Sequence, residues 1–278
     1  MMKKRLFIVN LVMFALTVSM FSLSAAALTG DEILLQLDQQ DQFLSEGSMI
    51  STLQFNTAYS DGTTSANQFA SLSKNGDDNA EYSLIYFVEP IDVAGTIFLS
   101  VKTSLEESAH MWLFLPALGG VKELVADQQE QSFAGSAFSY QDIGSRDFQG
   151  EYNAETVGEE QVEVDGKSYD CYILNLTARE DSNAEYASGK MWVEKENFIM
   201  LKSEDYNNDG KLERTTVILK LGEFEGNVVA DKMISTDTIG GSSTTITFLT
   251  RTRPGEDIPN SVFDADDLAA FDPGAYGL

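Results

Sequence analysis

Residues 111–142 read MWLFLPALGGVKELVADQQEQSFAGSAFSYQD. Met111 to Leu115 is a dense apolar run, and Pro116 breaks it because its ring fixes φ and removes a backbone donor. Gly119-Gly120 turns the chain, and a short mixed strand is expected over 121–126. A polar segment follows that still carries three rings, Phe133, Phe138 and Tyr140, and it ends in Asp142. The unbroken run at 111–115 leaves both faces of its strand apolar, so both must be covered.

Outward from this stretch the sequence keeps a period of two. Strands are expected at 49–59, 65–73, 81–89, 95–103 and 110–115 before it. After it they are expected at 152–164, 169–177, 190–194, 198–205, 213–221, 228–236 and 243–250. Asp61-Gly62, Asn75-Gly76-Asp77, Gly119-Gly120, Asp165-Gly166, Asn208-Asp209-Gly210 and Gly240-Gly241 separate them. Short strands joined by hairpin turns predict a largely antiparallel meander. Over 213–220 the alternation sets Glu213, Thr215, Val217 and Leu219 on one face and Arg214, Thr216, Ile218 and Lys220 on the other. Residues 82–88 and 111–115 are apolar or aromatic on both faces. In a curved open sheet one such face meets a helix while the other lines a cavity. In a sandwich both are ordinary core, and the strands alone leave the two arrangements open.

One strong helix is expected, over 29–44. Thr29 or Asp31 can cap it, Glu32 stands at capping-box spacing from Thr29, and Gly47 ends it. Ile33, Leu34, Leu37, Gln40 or Asp41, and Leu44 recur on one face. Near the other end Asp264 caps a short helix over 264–270, with Leu268 and Phe271 on its inner side.

The first residues read as a processing signal. Lys3, Lys4 and Arg5 precede an apolar stretch from Leu6 to Leu23, and Ala25 and Ala27 supply small residues for cleavage after Ala27. An uncleaved anchor is the alternative, since about 18 apolar residues just span a bilayer. No Cys lies near this site, so acylation of the chain itself is not expected. The remaining 28–278 is read as a single domain, without an internal linker or repeat. Without the leader's three cations, 15 basic residues face 44 acidic ones, a net charge near −29. Such a surface excludes nucleic acid and repels anionic headgroups, and it suits solubility, a basic partner or a saline habitat. Cys171 is the one cysteine, which excludes an internal disulfide and a cysteine-based metal site. It lies in an alternating strand and reads as a small buried apolar residue.

Chemistry is thinly represented. Asp205-Tyr206-Asn207-Asn208-Asp209-Gly210 begins like a calcium loop, but Thr216 stands where the bidentate Glu is needed, and a plain hairpin turn is expected. His110 is the one histidine, with Glu106 and Glu107 before it and no second imidazole for a metal or a relay. Ser136 lies in A-G-S-A-F, not G-x-S-x-G, and no phosphate or dinucleotide fingerprint occurs. No catalytic residue, metal or cofactor is therefore expected. What remains is apolar and aromatic surface, with 17 Phe, 10 Tyr and 2 Trp in the chain. A pocket of such side chains gains about 0.8 kcal/mol for each methylene it takes from water, so acyl chains bind without a specific polar contact.

The order Trp112-Leu113-Phe114-Leu115-Pro116, turn, then Ser132-Phe133-Ala134-Gly135-Ser136-Ala137-Phe138-Ser139-Tyr140-Gln141-Asp142 resembles the signature of the outer-membrane lipoprotein-sorting proteins, the wider LolA-like family of periplasmic lipoprotein carriers. Ile258-Pro259 to Phe263 resembles that family's closing segment. The resemblance implies a mainly β (α+β) fold, an unclosed, strongly curved antiparallel β-barrel with the N-terminal helix and short helices covering its concave face. It also implies a periplasmic protein that binds acyl chains of lipoproteins or lipids and moves them between inner and outer membrane, with an inner-membrane transporter as donor. On this reading the protein is a monomer and not an enzyme. The alternative on the same fold is a non-catalytic envelope module that senses lipid or binds a protein partner. The residues expected to line the apolar cavity are Leu53, Phe55, Leu84, Tyr86, Phe98, Trp112, Phe114, Tyr172, Leu174 and Trp192, with the parity of the cavity face left open. The 132–142 segment is expected as a structured loop at the rim, with Phe133, Phe138 and Tyr140 folded back onto the sheet. One feature departs from the family: an Arg near the start of the sheet latches the lid in well-known carriers, and this sequence has no Arg between Arg5 and Arg146.

Overall fold

The computed structural model describes residues 28–44, 47–76, 80–104, 108–144, 147–180 and 182–278. The expected leader, its cleavage after Ala27, and Glu106, Glu107 and Arg146 lie outside these residues, as does the side chain of Leu44. Among the described residues no helix is long and apolar enough to cross a membrane.

After helix α1 (Gly30–Leu44) the chain lays down β1 (Ser48–Ala58), β2 (Thr64–Asn75), β3 (Glu81–Glu89), β4 (Ile97–Lys102), β5 (His110–Leu115) and β6 (Gly120–Glu123). Three short helices, α2 (Ala126–Gln129), α3 (Tyr140–Gly144) and α4 (Phe148–Glu151), interrupt the strands. Then come β7 (Tyr152–Val164), β8 (Lys167–Ala178), β9 (Ser188–Glu194), β10 (Met200–Tyr206), β11 (Leu212–Phe224), β12 (Asn227–Asp237) and β13 (Ser243–Thr252). They form one antiparallel sheet in the order β6-β5-β4-β3-β2-β1-β13-β12-β11-β10-β9-β8-β7. Each strand follows its neighbour by a turn except at β1–β13, where the two meanders meet. The sheet is curved and does not close: β6 and β7 are its free edges. Of the stretch between those two edges, residues 124–144 and 147–151 are described, and they lie over the concave face.

All thirteen strands stand where the period of two places them. The 121–126 strand is the one that is cut short, because Ala126 already opens α2. The terminal helix is a 3₁₀ turn, Ala265–Ala270, capped by the Asp264 side chain, which accepts from the Asp266 N–H.

Both faces of the sheet are covered. On the concave face α1 buries Ile33, Leu34 and Leu37 against Tyr152, Leu174, Leu176, Met191 and Val193. Its first turn is closed by the expected capping box: the Glu32 carboxylate accepts from the Thr29 N–H at 2.8 Å, and Thr29 Oγ1 accepts from the Glu32 N–H at 3.2 Å. Asp31 accepts from the Ala154 N–H at 2.8 Å and ties the helix start to β7. Gly30 is required at this crossing, since any Cβ would collide with the Ala154 carbonyl. On the outer face the C-terminal segment packs Ile258, Phe263 and Leu268 onto Leu72, Leu84, Ile97, Leu99 and Val101. Its leading end is fastened where the Ser48 hydroxyl accepts from the Ile258 N–H at 2.8 Å and Lys74 Nζ donates to the Ile258 carbonyl at 2.8 Å.

Candidate functional site

The centre of the concave face is an aromatic bed. Leu53 and Phe55 of β1, Phe69 of β2, Ile85 and Phe87 of β3, Phe98 of β4 and Ile246 of β13 form it, and the crossing segment drops Phe133 into its middle. The Phe133 side chain is 0% exposed. Its ring lies 5.3 Å from Phe69, 5.5 Å from Phe87, 5.7 Å from Phe98 and 6.0 Å from Phe55, all within the range of favourable aromatic pairing. Tyr140 covers it from α3 at 5.4 Å. Beside this ring a cavity of about 250 Å³ remains, lined by Leu53, Phe69, Ile85, Met233, Ile246 and Phe248, with Phe133 as one wall.

The segment is held at its other end by polar chemistry. Ser139 and Asp142 cap α3 reciprocally: Asp142 accepts from the Ser139 N–H at 2.8 Å, and Ser139 Oγ accepts from the Asp142 N–H at 3.0 Å. The same Asp142 carboxylate takes both outer nitrogens of Arg214 on β11, one at 2.9 Å. Arg214 also meets Asp205 at 3.4 Å and Glu185 at 3.8 Å, and its guanidinium stacks over Tyr186 at 4.6 Å. Burial among these groups pushes the Tyr186 hydroxyl far above its ordinary pKa. Next to this cluster the Ala137 N–H donates to Thr244 Oγ1 at 2.8 Å, and Thr244 Oγ1 meets Thr57 Oγ1 at 2.8 Å. A polar recess of about 180 Å³ lies here, bounded by Ser132, Ser136, Glu185, Glu213, Arg214 and Asp237.

A buried arginine does tie the crossing segment to the sheet, but from the far meander: Arg214 of β11 and not a residue of the first strands. The 132–142 segment does not stand at a rim: it lies over the middle of the sheet, because Phe133 needs the β1–β4 bed while Asp142 needs β11. Two signals could have located it. Ser139-x-x-Asp142 has capping spacing, and Arg214 shares an alternating face with Thr216 and Ile218, all three buried.

The ten residues expected around the cavity do not share a face. Leu53 and Phe55 line it. Phe98 sits on the same bed against Phe133, and Tyr172 and Leu174 are on the part of the concave face beneath α1. Leu84, Tyr86, Trp112 and Phe114 point outward and pack under the C-terminal segment, with Tyr86 5.8 Å from Phe271. Trp192 lies on the side of β9 opposite Met191; its indole N–H donates to Glu160 at 2.7 Å and Lys202 Nζ stacks over it at 4.0 Å. Where a strand is apolar on both faces, as β3 and β5 are, alternation cannot say which side meets the cavity.

The groups considered for chemistry have structural surroundings. His110 stacks on Trp112 and meets Glu123 at 3.1 Å on the exposed end of β5. Asp205 faces Arg214 and not the turn, where Asn207 accepts from the Asp209 and Lys211 N–H groups. Burial pushes the Cys171 thiol up to about 11, so almost no thiolate exists at neutral pH.

A family model described as "Uncharacterized protein" matches residues 79–270. No curated protein matches the sequence. Among solved structures the chain is similar to a DUF1329 family protein from Desulfovibrio piger, at 28% identity and a TM-score of 0.78 over 86% of this chain and 97% of that one. It is similar to an outer membrane lipoprotein-sorting protein domain from Vibrio parahaemolyticus, at 24% identity and 0.76 over 86% and 98%. A LolA superfamily protein from Nitrosomonas europaea follows at 22% identity and 0.67 over 86% and 99%. The mainly β architecture, an unclosed curved antiparallel sheet, is that of these neighbours.

Proposed function

The chain belongs to that family of uncharacterized proteins, and from its LolA-like fold we propose that it is a periplasmic carrier, without chemistry of its own, that takes up the acyl chains of a lipoprotein or lipid. The observation that carries this reading is the aromatic bed covered by a ring from outside the sheet, with a cavity beside it. Phe133 is not part of the sheet. It arrives from a crossing segment and leaves a cavity beside it. At about 250 Å³ the cavity is smaller than the roughly 300–1,000 Å³ of ordinary small-molecule sites. A long acyl chain enters by displacing Phe133, which exchanges one apolar contact for another. Each methylene buried contributes about 0.8 kcal/mol, so the exchange favours a long chain. The exported state, the transfer between membranes and a donor transporter in the inner membrane are parts of the same proposal.

Uptake of a fluorescent fatty-acyl probe tests it. Wild type is expected to bind the probe saturably. Met233→Trp, which fills the cavity from β12, is expected to weaken binding at least tenfold while keeping the fold, a change of about 1.4 kcal/mol. A protein that takes up no probe, yet binds the exported domain of a membrane protein tightly, would instead be an envelope interaction module.

A further inference from the structure

Two cross-strand serine pairs stand on the concave face at one border of the aromatic bed, with Ser73 opposite Ser83 as a fifth hydroxyl beside them. Ser51 of β1 is the cross-strand partner of Ser71 on β2, and Ser83 of β3 is the partner of Ser100 on β4. Their positions alternate with the outward-facing Ile50, Leu72, Leu84 and Leu99, so all four hydroxyls share the face of Leu53, Phe69, Ile85 and Phe98. Ser71 and Ser83 line the cavity itself. Ser51 and Ser100 are 2% and 1% exposed, and among the described residues neither Oγ has a hydrogen-bond partner. Gly144 of α3 packs directly on Ser100, where a Cβ would come within 3.0 Å of its Oγ. Buried hydroxyls without partners are costly in a wholly apolar floor, and valine or alanine would fill these positions at no such cost. The hydroxyls on the Arg214 side of the bed are spent differently: Thr57, Thr244 and Ser235 bond one another or the crossing segment.

The charges nearby restrict what these serines could meet. Among the described residues the cations of the concave face are each held by a carboxylate: Lys102 by Asp147 at 3.0 Å, Arg251 by Asp231 at 2.9 Å, and Arg214 by Asp142. The titratable group on the cavity wall is Asp142, an anion. A carboxylate or phosphate would find no unspent cation there and would face Asp142. An uncharged group rich in acceptors, such as an ester carbonyl, would find hydroxyl donors, and a glycerol hydroxyl could donate to the serine oxygens.

We propose that Ser71 and Ser83, on the cavity wall in front of the buried Ser51 and Ser100, form a subsite for the uncharged ester and glycerol portion of an acylglycerol, which orients the lipid with its chain along the aromatic bed. This rests on the acyl-carrier reading and adds a ligand class to it: neutral acyl esters over free fatty acids.

The test compares monopalmitoylglycerol with palmitate, two ligands of equal chain length, by displacement of the fluorescent acyl probe from the full mature chain. Wild type is expected to bind the ester at least tenfold more tightly, the factor that one or two neutral hydrogen bonds of ordinary net strength supply. In the Ser71→Ala/Ser83→Ala double variant that preference is expected to shrink most of the way to unity, because the ester loses affinity while palmitate does not lose it in parallel. Equal binding of the two ligands by wild type, or a preference that survives in the double variant, overturns the serine subsite and leaves the carrier reading standing. Failure of both ligands and of the probe itself overturns both. Circular dichroism and the thermal midpoint of the variant guard against misfolding.

Discussion

Arg214→Met is expected to destabilise the protein by about 3–5 kcal/mol, the range for removing one partner of a buried ion pair. Its guanidinium is 4% exposed and stands among Asp142, Asp205 and Glu185, whose side chains are 5%, 8% and 13% exposed. Without the cation those carboxylates lose their compensating charge and the guanidinium donors, and water cannot replace either without opening the site. A shift of the urea midpoint at constant slope measures the loss. The cross-strand position of Arg214 adds a second expectation. Asp142→Asn keeps a side-chain acceptor for the Ser139 N–H and so keeps the α3 cap, but it removes the ionic half of the fork. That variant should lose less stability than Arg214→Met and take up acyl probe faster, because the crossing segment loses its ionic tie to β11 and keeps the Ala137–Thr244 hydrogen bond and the packing of Phe133. Arg214→Met within about 1 kcal/mol of wild type would show that the cluster does not fasten the segment.

Phe133→Ala should move stability and binding in opposite directions. Truncating a fully buried Phe costs about 3–5 kcal/mol, from lost transfer energy and from the cavity left behind. Here that cavity joins the existing space of about 250 Å³ and makes room for an acyl chain without any displacement. Probe affinity is therefore expected to rise while the thermal midpoint falls. Saturating lipid should restore part of the midpoint, by about 2.7 kcal/mol at a hundredfold excess over Kd. A merely structural Phe133 predicts the opposite for binding, which would weaken together with the fold.

Much of this architecture is legible in the residues, and the exceptions have physical causes. Period-two patterning with turn dipeptides locates every strand, since a meander relies on local hairpins and little else. The Thr29–Glu32 capping box is a local signal and holds as read. What the pattern does not carry is the assignment of faces. Leu84 and Ile85 are both fully apolar, yet one packs beneath the C-terminal 3₁₀ turns and the other lines the cavity. Only the distant segment that covers a face decides this, and no property of β3 announces it. The short helices of the crossing segment are four or five residues long, too short to show a helical period. The Arg214 latch escapes for a related reason. Arg214 belongs to a strand whose neighbours are threonines and charged residues, and its partner Asp142 is 72 residues away. The resemblance to sorting proteins draws attention to the right segment, 132–142, while the structure alone shows that it lies across the middle of the sheet.

The central claim is that the concave bed holds acyl chains in place of Phe133. Lipid mass spectrometry on an organic extract of the protein, purified without detergent, tests it most directly. The account predicts acyl lipid or acylated peptide near one equivalent per chain, with the Phe133→Ala variant carrying at least as much as wild type. A clean extract from both proteins, together with no uptake of lipid added afterwards, would contradict it.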